Sequence, residues 1–246
     1  MPTIGAMLRV GVALALLGWP MPPDDPGAEE AAPVAAATLV GLQELRLDDG
    51  RCVRLAGVLV PPEAGPDTVL GAVLGQEVRL EPAAPPADRH GRLRAQVLGR
   101  GWLQGELVRA GLAVVDPASD VPDATLAALL ALEHEARAAN RGVWARGEIG
   151  PFPAGRVEAP VGRYVLVRGR VQGVTRARAF VYVNFGRDWR RDFTVRADLE
   201  DARRFARQGL DLDRLVGREL LVRGWLLEAN GPMIELEHPA QIEVVE

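Results

Sequence analysis

Apolar and polar residues alternate along Thr38–Leu47 and again along Arg51–Leu59. That period predicts two strands with one face turned inward. Asp49-Gly50 between them is a tight-turn pair, because glycine accepts the positive φ such a turn needs. Two more strands are expected at EVRLEP (77–82) and RLRAQVLG (92–99), separated by the proline-rich loop APPADRHG (84–91). The period then changes. Leu103, Leu107, Val108 and Leu112 recur helically, with Gly111 near the end of that run. Leu126, Leu129 and Leu130, with Glu133 and Arg137, outline a longer helix that Asp123 can cap and Gly142 can stop.

A Gly/Pro cluster, GEIGPFPAG (147–155), interrupts the pattern. Beyond it YVLVRGRVQGV, RAFVYVNFG and RDFTVRA read as strands, LEDARRFARQG as a helix, and RELLVRGWLLEA, PMIELE and AQIEVV as strands again. The order β-β-β-α-β-β is that of a small five-stranded Greek-key barrel of the OB type. The fold class expected is therefore mainly β with helices: an OB-type five-stranded barrel with helices, followed by a second small OB-like β-barrel. The expected segments are a signal-like stretch and disordered Pro/Ala/acid linker at 1–37, a first domain at 38–147, a linker at 148–160 and a second domain at 161–246.

The N-terminus adds an address. Arg9 precedes an apolar run from Val10 to Trp19, shorter than the ~20 residues that span a membrane. It fits the apolar region of an export signal, so a periplasmic or secreted protein without a stable membrane span is expected. An Ala-x-Ala triplet at Ala35–Ala37 lies far from that run.

Composition narrows the chemistry. The chain has 246 residues, 48% of them hydrophobic, and a net charge of −4, so overall charge does not argue for a nucleic-acid partner. It holds one cysteine, Cys52, which excludes an internal disulfide and any multi-cysteine metal site. His90, His134 and His238 show no ligand spacing, so no metal site is expected. Charge is uneven, however. Nine arginines fall between Arg163 and Arg196, opposed only by Asp188 and Asp192, and interleaved with Tyr164, Phe180, Tyr182, Phe185, Trp189 and Phe193. Arginine neutralises phosphate and rings stack on bases, so Arg168, Arg170, Arg187, Trp189, Arg190 and Arg191 are candidate nucleic-acid contacts. Phe180, Tyr182 and Asn184 share one strand face and Val181, Val183 and Phe185 the other; one set must be core.

Four motifs in order, LRLDDGRCVRLAGV, DRHGRLRAQV, WLQGELVRAGLAVV and LEHEARAANRGVW, make residues 38–144 resemble the thermonuclease family, the staphylococcal-nuclease-like domains. The second half is similar to an extension found on some bacterial members, a likeness that carries no activity. The family resemblance implies an OB-type barrel with three helices and calcium-dependent phosphodiester cleavage, with two arginines on the phosphate and a glutamate as base. The arginine positions fall on Arg54 and Arg92. The metal positions do not match: an aspartate position falls on Leu59, another on Gln43, and the glutamate position on Pro62, with Glu63 one residue late. A calcium site without carboxylates keeps only weak ligands. The catalytic candidates are thus Arg54, Arg92 and Glu63, vestigial or working, with no cofactor unless Glu63 restores a calcium site. The leading expectation is an exported, catalytically impaired nuclease homologue, a pseudoenzyme binding single-stranded nucleic acid or another polyanion. The alternatives are an active calcium-dependent phosphodiesterase using Glu63, Arg54 and Arg92, and an envelope protein-interaction module.

Overall fold

The computed structural model describes residues 34–65, 70–71, 73–119, 121–188 and 190–245. The export-like run Val10–Trp19 and Trp189 lie outside the described residues. Among them, no helix is long and apolar enough to cross a membrane.

In the first half, β1 (Val34–Gly41), β2 (Glu44–Leu47) and β3 (Cys52–Leu55) form an antiparallel meander. The short β4 (Val58–Leu59) and a 3₁₀ turn at Pro62–Ala64 follow. Next come β5 (Glu77–Ala87) and β6 (Leu93–Leu98), which pair with each other. β6 lies parallel to β3, and β1 meets β5 at Val34↔Val78, so the order β1-β2-β3-β6-β5 returns to its start. β1 begins at Val34 and so draws the last residues of the expected Pro/Ala/acid linker into the sheet. The alternation places Leu45, Leu47, Val53 and Leu55 inside.

The helices are α1 (Leu103–Arg109), α2 (Asp123–Ala138) and the single turn α3 (Val143–Arg146), with β7 (Val114–Val115) pairing with β4. Two expectations need correction. Asp123 makes no side-chain cap; it is the first residue of α2, where its charge suits the helix dipole. α2 also ends at Ala138, four residues before Gly142. Gly142 has another task. At φ 54° it lies against Gly111, and Val143 N–H donates to the Gly111 carbonyl at 2.9 Å. A Cβ on Gly142 would fall 2.1 Å from that oxygen. Gly142→Ala is expected to cost about 1–3 kcal/mol, through positive-φ strain and a backbone clash, and to lower Tm.

The second half begins with β8 (Phe152–Pro153) and continues through β9 (Tyr164–Arg170), β10 (Gly173–Arg176), β11 (Phe180–Asn184) and β12 (Thr194–Asp198). Helix α4 (Leu199–Arg207) leads to β13 (Glu219–Trp225), β14 (Leu227–Glu228), β15 (Pro232–Leu236) and β16 (Ile242–Val245). Where one closed barrel was expected, the ladders form two sheets, β10-β11-β12-β15-β14 and β16-β13-β9-β8. The chain passes between them at Val171-Gln172 and at Leu226. Val181 and Val183 are fully buried, which sets Phe180, Tyr182 and Asn184 on the outer face. The molecule is mainly β with helices.

The halves share a core. Tyr164, Leu166 and Leu221 pack into the hydrophobic cluster of the first half. Glu133 on α2 and Arg223 on β13 form an ion pair, with side chains 0% and 3% exposed. Burial works against the Arg223 charge, but the Glu133 carboxylate beside it outweighs burial and raises the guanidinium pKa. Glu133 Oε1 also accepts the Val115 N–H at 3.0 Å, and Tyr164 O–H donates to the Val115 carbonyl at 3.0 Å.

Candidate functional site

β2, β3 and β6 bring three charged side chains into register: Glu44 opposite Arg54, and Arg54 beside Arg94. Arg92 stands just before β6. Its guanidinium donates to Asp88 Oδ2 at 2.7 Å through Nε and to Glu44 Oε1 through Nη1. The Asp88 carboxylate also accepts the backbone N–H of His90 at 2.8 Å and of Arg92 at 3.1 Å. Burial pushes the Asp88 carboxyl up, but these hydrogen bonds from Arg92 and the backbone outweigh it and hold the group at about 2. Since a carboxylate's unfolded value is near 4, this clamp stabilises fully above about pH 4 and is lost as pH falls towards 2. An acid titration of Tm should therefore show a loss in that window that Asp88→Asn lacks.

Arg54 is half-buried and makes no hydrogen bond or ion pair among the described residues. It borders a 210 Å³ pocket with Leu59, Asp88, Arg94 and Asp116. Arg94 donates to the Ser119 carbonyl. Burial raises the Asp116 carboxyl pKa, which Arg54 and Arg94 partly offset. Glu63 has other partners. Its carboxylate accepts Arg163 Nη1 at 2.7 Å, and its carbonyl accepts Arg146 Nη2 at 2.8 Å. The hydrogen bond from Arg163 is the main reason its pKa is lowered. Arg54, Arg92 and Glu63 are thus each engaged differently, and neither Arg92 nor Glu63 lines the pocket beside Arg54 and Asp116.

The metal positions are equally specific. Gln43 Oε1 accepts the Val60 N–H at 3.1 Å, and Leu59 is a hydrocarbon side chain. Among the described residues, no group of three or more His, Cys, Asp or Glu side chains could hold a metal ion. Among the described residues, Leu59 and Gln43 therefore give no carboxylate for calcium, which needs several oxygen ligands.

Residues 65–146 match the family described as staphylococcal nuclease homologue. Over that segment the chain is similar to the nuclease homologues. No curated protein matched the chain. The match begins beyond Arg54 and Leu59, so it covers the Arg92 loop and the helices but not the strands that hold the altered metal positions. The second half also lies outside it.

That second half distributes its arginines unevenly. Arg168 pairs with Glu219 at 2.6 Å, and Arg170 donates to the Gly217 carbonyl at 2.7 Å. Both sit on β9, in the other sheet from the β11–β12 loop that carries Arg187, Arg190 and Arg191. Asp188 and Asp192 shape this loop from within. Asp188 N–H donates to Asp192 Oδ2 at 2.9 Å, and the Asp188 carbonyl accepts the Arg191 and Asp192 N–H groups. The two acids are spent on backbone bonds, while the three arginines are exposed.

The sequence reading missed a groove of about 320 Å³ on the outer face of the five-stranded sheet. Thr175, Tyr182, Asn184, Thr194 and Met233 line it, and Ala177 and Asn230 close its ends. Phe180 and Tyr182 meet edge-on at 6.1 Å, and Arg196 lies 4.5 Å from the Phe180 ring while ion-paired to Glu235. The strand alternation held the signal, since Tyr182 and Asn184 were already on one face. Exposed Arg178 follows Ala177, and the Arg191 backbone packs against Gly231 beside Asn230.

Proposed function

We propose that this chain is an exported, nuclease-related protein that does not hydrolyse its ligand and instead holds single-stranded nucleic acid on the outer face of its second half. The observation that carries the reading is the fate of the acid positions: Gln43 turns its one acceptor oxygen onto Val60 N–H, beside Leu59. Arg92, the expected phosphate ligand, already has two carboxylate partners. In-line attack on a phosphodiester needs charge neutralisation and an oriented water, and neither Leu59 nor Gln43 offers a carboxylate for either.

Binding is assigned to the groove on topological and chemical grounds. β10-β11-β12, the parallel β12–β15 pair and the return through β14 follow the OB strand order, whose bound strands lie across the second and third strands between two loops. Here those loops carry Arg178 and Asn230-Gly231. Tyr182 offers a ring for a base, Asn184 and Thr175 offer hydrogen bonds, and Arg178, Arg187 and Arg191 offer charge at the surface. The same topology leads us to read the first half as an OB-type barrel too.

The test is fluorescence anisotropy of a labelled single-stranded oligonucleotide against the purified chain over a salt series. Affinity should fall steeply with salt, and Arg178→Ala and Arg191→Ala should each reduce the log–log slope by roughly 0.7. Salt-insensitive binding, or none, would return the second half to a protein-contact role.

A further inference from the structure

A second pocket, about 310 Å³, opens between the two halves and shares no lining residue with the groove. Its wall combines Gln43, Arg54 and Leu59 of the first half with Tyr164 and Trp225 of the second. In the first half these are the positions where the resemblance called for phosphate and metal ligands, so the change in their chemistry is informative.

Gln43 Oε1 is fixed by the Val60 N–H, which leaves the amide Nε2 as the outward group, and no hydrogen bond is made by it among the described residues. Arg54 contributes a guanidinium with no hydrogen-bond partner or ion pair there. Of the neighbouring acids, Glu44 pairs with Arg92 and Glu63 with Arg163, while Asp116, which feels the Arg54 charge, lines the adjacent 210 Å³ pocket and not this one. Two donors therefore stand where a metal site would need acceptors, and the local preference is inverted from cation to anion. The rest of the wall is apolar except for Arg163, whose guanidinium is ion-paired to Glu63. Trp225 is 49% exposed and meets Tyr164 edge-on at 5.6 Å, and the Tyr164 hydroxyl is turned away onto Val115. A half-exposed indole beside two donors that make no hydrogen bond among the described residues matches a flat body carrying one negative group.

We propose that this interdomain pocket binds a small organic anion, with a flat aromatic body against Trp225 and a single phosphate or carboxylate on Arg54 and the Gln43 amide, without a metal. Binding needs both halves, because Arg54 and Gln43 come from the first and the Trp225 ring from the second.

Calorimetric titration of the full chain tests it with phenyl phosphate, phenylacetate, the neutral benzyl alcohol and inorganic phosphate. At least one aromatic anion should bind saturably, with the same affinity in EDTA and in calcium. A preference for phenyl phosphate assigns a phosphate ester, and a preference for phenylacetate assigns a carboxylate. Arg54→Gln should weaken binding roughly tenfold to a hundredfold, as loss of a charge-assisted hydrogen bond implies. Gln43→Glu keeps the acceptor for Val60 N–H but adds a like charge, and should abolish binding while circular dichroism is unchanged. Tyr182→Ala should have no effect, which separates this site from the groove. The proposal is overturned if neither aromatic anion saturates by millimolar concentration, if Arg54→Gln and Gln43→Glu bind as the parent does, or if benzyl alcohol or inorganic phosphate binds equally well.

Discussion

Glu133→Ala is expected to destabilise the protein by about 3–5 kcal/mol, the range for breaking a buried ion pair by removing one partner. Arg223 would keep its charge in a site that is 2% exposed, with the Val115 carbonyl at 3.5 Å as the hydrogen-bond acceptor left to it. Val115 N–H would lose its acceptor at the same time. Because Glu133 comes from α2 and Arg223 from β13, the loss falls on the contact between halves, which Tyr164, Leu166 and Leu221 also build. Urea unfolding followed by tryptophan fluorescence and by circular dichroism should therefore give one coincident transition, shifted to lower urea in the variant. A matched double change, Glu133→Met with Arg223→Met, should recover most of the loss, because a hydrocarbon pair has no desolvation penalty. A loss below about 1 kcal/mol, or two separate transitions in the parent, would mean that the pair does not join the halves.

Tyr182→Ala is expected to weaken binding of a single-stranded oligonucleotide roughly five- to a hundredfold, equivalent to the ~1–3 kcal/mol of one base stacked on an aromatic ring. The residue suits this measurement because its ring is on the outer face while its strand neighbours Val181 and Val183 hold the core. The fold should survive the change, and Tm tests that separately. Tyr182→Phe keeps the ring and should bind within about twofold of the parent. An alanine variant that binds like the parent would move the nucleic acid off this face.

Much of the fold is legible in the alternation of the chain. Leu45, Leu47, Val53 and Leu55 announce an inward face two residues at a time, and the structure buries all four. The same rule put Phe180, Tyr182 and Asn184 together but could not say which face was core, since both faces of β11 carry bulky apolar groups. The groove was hidden for that reason. Arg54 and Arg92 could be placed by motif, but their surroundings could not. The partners of Arg92 include Glu44, 48 residues away, and that of Glu63 is Arg163, 100 residues away, in the other half. Pairing at such separations leaves no local trace. Glu133 did leave one. It stands four residues after Leu129 and seven after Leu126, on the buried stripe of α2, where an acid demands a buried partner. His238 caps a 3₁₀ turn, its Nδ1 accepting the Ala240 N–H at 3.1 Å.

The central claim, a nuclease-homologue domain in a protein that binds without cutting, is tested most directly by one incubation. Labelled single-stranded DNA is mixed with the purified full chain in millimolar calcium and in EDTA, and the same samples are read for retardation and for fragments. The account predicts a retarded, intact strand to the same extent in both. Fragments that appear only with calcium and vanish in Arg92→Ala would contradict it.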